Sequence, residues 1–162
     1  WATPEDINRL RGKRAQKQGE SFEQAVQRQC DLYRLEGVAL IHKTPTAMRI
    51  ISRGKKSHRA VFDKKSTVDF SGNYRGRHIA FDCKSTGSER FPISGIKTHQ
   101  YDYLDENDRM GGISFVLLRI SGGVYMLTMD MLRSAVNAPR PRRSFSRGNL
   151  PDPCGLDFLR IF

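Results

Sequence analysis

Apolar positions recur at three- and four-residue spacing from Phe22 through Ala25, Val26 and Cys30 to Tyr33, which lines one face of an α-helix. Ser21-Phe-Glu-Gln24 ahead of that stripe fits a capping box, and Gly37 supplies a stop. Val38-Ala-Leu-Ile-His-Lys43 reads as a strand broken by Thr44-Pro45-Thr46. Alternation returns at both ends of the basic stretch 49–65, in Met48-Arg-Ile-Ile51 and Ala60-Val-Phe62, and predicts a projecting ribbon. Ser66–Phe70 follows as a short strand, Ser71-Gly72-Asn73 as a turn, and His78–Lys84 as a strand with alternating faces. A helix is predicted over 96–109, ended by Gly111-Gly112, and then a central strand over Ile113–Ile120, the most apolar segment. Gly122-Gly123 marks a hairpin into Val124–Met129, followed by a short helix over 130–136 and a Pro/Arg loop over 137–153. Leu156–Phe162 closes the chain as a predicted strand. Helix, strands, helix, strands in that order fit an α/β fold, a mixed central β-sheet flanked by helices.

The chain has 162 residues, 38% of them hydrophobic, which suits one hydrophobic core with surface elaboration. Charge changes the picture more. There are 28 Lys and Arg against 17 Asp and Glu, a formal net charge of +11. Residues 9–17, 43–65 and 140–147 hold 17 of the basic side chains and one acid, Asp63, so the remainder of the chain is mildly acidic. A tail, an insertion and a loop that concentrate positive charge on an acidic body point to a surface touching phosphates in several places. None of these runs has an amphipathic apolar face, and no apolar run reaches the length of a bilayer, so membrane attachment is not expected. The three cysteines, Cys30, Cys83 and Cys154, are odd in number and lack metal-ligand spacing, which predicts free thiols, buried or half-buried, in a reducing compartment. Any metal should therefore be a hard ion held by carboxylates.

Candidate chemistry lies around Asp82-Cys83-Lys84. On a strand, Asp82 and Lys84 share one face while Ile79, Phe81 and Cys83 share the other. Charged groups on an apolar-rich strand cost free energy unless compensated. A hairpin between the strand ending near Phe70 and the strand 78–84 would set Asp69 beside Asp82, and two adjacent carboxylates repel unless a divalent cation lies between them. Lys84 would then stand close to an attacking water or a phosphate. A plain salt bridge between Asp82 and Lys84 is the alternative.

The pattern Asp69…Asp82-x-Lys84 resembles the PD-(D/E)xK nuclease core. More narrowly, the chain resembles the RecU-type Holliday junction resolvases of Gram-positive bacteria and their phages. The resemblance is carried by Gly19-Glu-Ser-Phe-Glu-Gln24, Ile41-His-Lys-Thr-Pro-Thr46, Ser66-Thr-Val-Asp-Phe70 and Tyr74-Arg-Gly-Arg-His-Ile79 leading into Phe81-Asp-Cys-Lys84. It continues through Phe91-Pro-Ile93, His99-Gln100 and Leu156-Asp157-Phe158. It implies a restriction-endonuclease-like core over 20–162, with a basic stalk inserted at about 45–66 and a flexible basic arm over 1–19. It also implies a homodimeric, Mg2+-dependent, structure-selective endonuclease of the bacterial cytoplasm, with Mn2+ able to substitute. Such an enzyme cuts four-way DNA junctions in recombination and repair, alongside a recombinase or branch-migration partner.

Residue by residue, the resemblance makes Asp69 and Asp82 metal ligands and Lys84 the catalytic lysine. Glu23, with Glu20 as competitor, would hold a metal or its water, and Gln100 would position water or phosphate. Asp82 stands where the family usually has Glu, which draws a bound ion nearer to the strand. Arg53, Lys55, Lys56, Arg59, Lys64 and Lys65 of the stalk, and Arg140, Arg142 and Arg143 of the late loop, are the expected DNA contacts. Arg75 and Arg77, in the turn before the catalytic strand, are expected to clamp a phosphate beside the metal. Two other readings stay open: a nuclease acting on linear or flap DNA, and a DNA-binding protein without catalysis.

Overall fold

A computed structural model describes residues 3–6, 21–45 and 67–162, together with the backbone of 48–53 and 58–62. The apolar stripe folds as helix α1 (Phe22–Leu35). Its capping box is complete: Gln24 N donates to Ser21 Oγ, and Ser21 N donates to Gln24 Oε1, each at 3.2 Å. Five strands form the main sheet: β1 (Leu40–Lys43), β4 (Phe70–Tyr74), β5 (Arg77–Ser85), β7 (Ile113–Ile120) and β8 (Gly123–Thr128), in the order β1-β4-β5-β7-β8. The pairs are antiparallel except the central one, β5 with β7, which is parallel and is bridged by helix α2 (Thr98–Arg109). This is the mixed sheet flanked by helices that the element order anticipates.

The sheet buries both faces, as a central parallel pair requires. On one face, Ile79, Phe81, Cys83, Phe115 and Leu117 pack with Phe22, Val26, Cys30 and Tyr33 of α1. Phe70, Phe81 and Phe115 stack across three strands at ring-centroid separations of 5.1 and 4.8 Å. On the other face, Ala80, Val116 and Leu118 pack with Leu104 of α2 and with Met129, Leu132 and Ala135 of helix α3 (Met129–Asn137). All three cysteines are free and buried. No helix among the described residues is long and apolar enough to cross a membrane.

The basic insertion contains a separate antiparallel pair, β2 (Met48–Arg53) with β3 (His58–Phe62), matching the predicted ribbon. Several boundaries differ from expectation. The strand placed at 66–70 runs instead from Phe70 to Tyr74 and absorbs the predicted turn Ser71-Gly72-Asn73. Gly72 is required there by close approach, because a Cβ would collide with the Leu40 carbonyl of β1. The turn falls at Arg75-Gly76, both at positive φ (50° and 76°), and is braced by a 3.1 Å bond from Gly76 N to Asn73 Oδ1.

The loop over 137–153 contains strand β9 (Ser144–Ser146), which pairs with β6 (Arg90–Pro92) and buries Phe145. The closing strand is instead a 3-10 turn, Phe158–Ile161. Phe158 and Leu159 are both buried, which a strand's alternation over one surface does not allow. Tyr33 donates to Asp157 Oδ1 and accepts from Leu159 N, pinning the turn to α1.

Candidate active site

The β4–β5 hairpin builds the site. Phe70 lies opposite Phe81, so Asp69, one step before β4, falls opposite Asp82. Asp69 N donates to Asp82 Oδ1 at 3.1 Å, and Cys83 N donates to Asp69 Oδ2 at 2.8 Å. Asp82 is fully buried on the α2 face of β5. Two residues on, Lys84 reaches back with its Nζ 2.7 Å from Asp82 Oδ2. The same ammonium donates to Gln100 Oε1 at 3.0 Å, and that oxygen also accepts from Lys97 N at 3.1 Å. Gln100 is thus oriented by the first turn of α2 before it meets Lys84. Asp69, Asp82, Lys84 and Gln100 come together; all four were read from the sequence.

Electrostatically, the carboxylate pair is out of balance. Burial and the charge of Asp69 push the Asp82 carboxyl up to about 7, against the opposing pull of Lys84. Asp82 Oδ2 has the Lys84 ammonium as its ion-pair partner. The buried Cys83 thiol is pushed up by desolvation and by the same two carboxylates, so it remains a protonated, apolar filler.

Glu23 belongs to a different group. Helix α1 packs on the opposite face of the sheet from Asp82, and Glu23 pairs with Lys43 at 2.8 Å. The hydrogen bond and charge of Glu23 raise the Lys43 pKa, with a smaller contribution from Asp69, so Lys43 links the two carboxylates electrostatically. Thr44 N donates to Asp69 O at 2.8 Å, and the buried Thr44 hydroxyl has no hydrogen-bond partner among the described residues. The sequence places Lys43 and Thr44 in a motif that carries the family resemblance but gives neither a role at the site. Their signal was the adjacency of β1 and β4, which sets Lys43 opposite Phe70. Glu20 lies outside the described residues.

The donor set suits a hard divalent ion. It offers carboxylate oxygens and no nitrogen or thiolate, one carboxylate is fully buried, and the pair is mutually repulsive. As arranged here, no group of three or more His, Cys, Asp or Glu among the described residues closes around a common point. Asp69 and Asp82 therefore form a two-carboxylate mount rather than a complete cage.

The expected phosphate clamp at Arg75 and Arg77 needs correction. The turn 75–76 lies at the opposite end of β5 from Asp82 and Lys84. Arg77 donates from Nε to Gly111 O at 2.8 Å and from Nη2 to Gly112 O at 3.0 Å, tying β5 to the end of α2. Arg75 reaches Phe162 O at 3.3 Å and lies over the Tyr74 ring. Arg140, Arg142 and Arg143 are exposed, and Arg142 stacks near Phe145 with its Cζ 5.7 Å from the ring centroid. Arg53 and Arg59 pair one residue out of line with each other on the ribbon, Ser52 opposite Arg59 and Arg53 opposite His58. Lys55, Lys56, Lys64 and Lys65 lie outside the described residues.

Among known proteins, the model of the family Recombination protein U (RecU) matches residues 17–151. A Holliday junction resolvase RecU of Pediococcus pentosaceus is 36% identical over 110 residues, covering 64% of this chain and 55% of that protein. The protein of the same name from Bacillus pumilus is 35% identical over 130 residues, covering 73% of this chain and 62% of its own. This chain thus spans little more than half the length of those relatives. Among solved structures, Archaeoglobus fulgidus Hjc, a Holliday junction resolvase from an archaeal hyperthermophile, is similar at a TM-score of 0.48 and 11% identity, with 80% of this chain and 93% of that one covered. The family match takes in the whole β4–β5 hairpin and α2, and with them Asp69, Asp82, Lys84 and Gln100. The chain belongs to the Recombination protein U family.

Proposed function

We propose that this protein is a structure-selective endonuclease that resolves four-way DNA junctions by metal-dependent hydrolysis of phosphodiesters. The observation that carries the reading is Asp82: a fully buried carboxylate beside a second one, with an ammonium group 2.7 Å away. A group so costly to bury points to function rather than to stability. Family membership and the segregated basic segments support DNA as the substrate.

Asp69 and Asp82 would hold Mg2+, or Mn2+ in its place, completed by water and phosphate oxygens and, with Lys43 released, by Glu23. When bound, such an ion supplies Lewis acidity and lowers the pKa of an attacking water. The chain's own groups do the positioning. Gln100 orients Lys84, whose ammonium faces the charge that develops on the scissile phosphate. The ribbon residues Arg53 and Arg59, the neighbouring Lys55, Lys56, Lys64 and Lys65, and Arg140, Arg142 and Arg143 would grip the backbone. Two symmetric incisions need two sites related by a two-fold axis, hence a homodimer. The setting would be the bacterial cytoplasm, alongside recombinase or branch-migration proteins.

The test is cleavage of an end-labelled four-way junction with and without Mg2+, beside the Asp82→Ala protein and a linear duplex of the same sequence. Product from the wild type alone, with Mg2+ and on the junction, is expected. Equal product from Asp82→Ala would remove the site, and equal cutting of the duplex would replace junction resolution with a general endonuclease.

A further inference from the structure

We propose that Arg119 is a DNA-backbone contact, a preset phosphate fork on the α1 side of the site. Strands β5 and β7 are parallel, so their C-terminal ends lie together; Lys84 is opposite Leu118, and Ser85 is opposite Arg119. Leu117 packs on the α1 face and Leu118 on the α2 face, so Arg119 projects toward α1. Two contacts fix its guanidinium. Nε donates to Ser85 Oγ at 3.2 Å, and Cζ stands 5.2 Å from the ring centroid of Phe22, the residue before Glu23. Its backbone carbonyl is held as well, accepting from Thr86 N at 3.1 Å.

What Arg119 lacks is an acid. Arg133 engages three carboxylates, Asp105, Asp108 and Asp130, and Arg109 engages Asp105. Among the described residues Arg119 forms no ion pair, and its two terminal nitrogens have no acceptor. A guanidinium seated over an aromatic ring with its Nε tied has its remaining edge free to act as a bidentate donor, which suits a phosphate. It lies at the rim where the strand carrying Asp82 and Lys84 ends, on the face that those residues do not occupy. A backbone crossing the site from the α2 side would meet Lys84 first and Arg119 next. Packing of the stem on Phe22 alone would be served by any long side chain.

The inference rests on the reading of DNA as substrate. Its test is junction affinity in EDTA as a function of salt, for wild type, Arg119→Met and Arg119→Lys, with thermal melts of each. Methionine keeps a long stem against Phe22 and removes the charge. Its Kd should rise about tenfold near 0.1 M salt, and its log–log salt slope should become shallower by about 0.9 per protomer. Lysine should keep the slope and lose about threefold in affinity through loss of the fork. Ser85→Ala, which frees the fork without touching its charge, should behave like the lysine variant. A methionine variant with an altered melting temperature and an unaltered salt slope would make Arg119 a packing residue and overturn the proposal. Failure of the wild type to cleave junctions would sink the nuclease reading alone, since the slope still reports whether Arg119 meets phosphate.

Discussion

Strand β5 carries charge at both ends, and the two ends differ in how far that charge is satisfied. At the start, Arg77 gives two hydrogen bonds to the carbonyls of Gly111 and Gly112, and the turn beside it is braced by Asn73. At the finish, Asp82 is buried against Asp69, and one ammonium, Lys84, is shared between Asp82 and Gln100. The first end has its polar groups answered locally, as a structural tether should. The second end retains repulsion between two carboxylates within the folded protein. That asymmetry separates a charged residue that holds the fold together from one held in readiness.

The largest effect should come from removing the unsatisfied end. Asp82→Asn keeps the shape, relieves the repulsion with Asp69, and should lower junction cleavage on the order of 10²–10³-fold. The same substitution should raise the metal-free melting temperature near pH 8 by roughly 3 °C. The sign follows from the raised pKa. Between the ordinary 3.8 and about 7, the folded protein keeps a proton on Asp82 that the unfolded chain has released. Metal-free wild type should therefore lose stability as pH rises through that window and level off above it, while Asp82→Asn lacks this component. Added Mg2+ should restore stability above about pH 7 in the wild type alone. Thermal melts across the window, with and without Mg2+, read both results; identical pH profiles for the two proteins would mean that Asp82 carries no burden.

Gln100→Ala tests the same end at one remove. It deletes the acceptor shared by Lys84 Nζ and Lys97 N, so the ammonium loses one of its two anchors and α2 loses its first-turn cap. Cleavage should fall about tenfold through misplacement of Lys84. Gln100→Glu, which retains an acceptor oxygen, should recover most of it. Equal rates for all three proteins, measured under single-turnover conditions, would detach Gln100 from the site.

Much of this end was legible because a strand's period of two forces it. Once Ile79, Phe81 and Cys83 are assigned to the core, Asp82 and Lys84 must share the other face, and a hairpin must bring Asp69 near. That inference survived a misplaced strand, since Asp69 meets Asp82 just outside the ladder rather than within it. What escaped was whatever depends on neighbours distant in sequence. Gly72 resembles a turn residue until the Leu40 carbonyl is seen against it. Leu156–Phe162 resembles a strand until Tyr33 is seen to bond both Asp157 and Leu159. Glu23 pairs with Lys43 of β1, a neighbour that local pattern does not encode.

The smallest effect belongs to the satisfied end, and it decides whether the contrast is real. Arg75 and Arg77 sit in a turn whose basic character invites a phosphate-binding reading, yet Arg77 already has two acceptors fixed by the end of α2. Arg77→Ala should cost about 1 kcal/mol of stability, the net worth of two partly exposed charge-assisted bonds. Its junction affinity should keep the wild-type salt slope, because no phosphate contact has been lost. Chemical denaturation and a salt titration of binding measure the two quantities separately. Were the variant as stable as wild type but its slope shallower by about 0.9, Arg77 would have exchanged the Gly111 and Gly112 carbonyls for DNA. Both ends of β5 would then belong to the nucleic-acid surface, and local satisfaction in the free protein would no longer mark a structural charge.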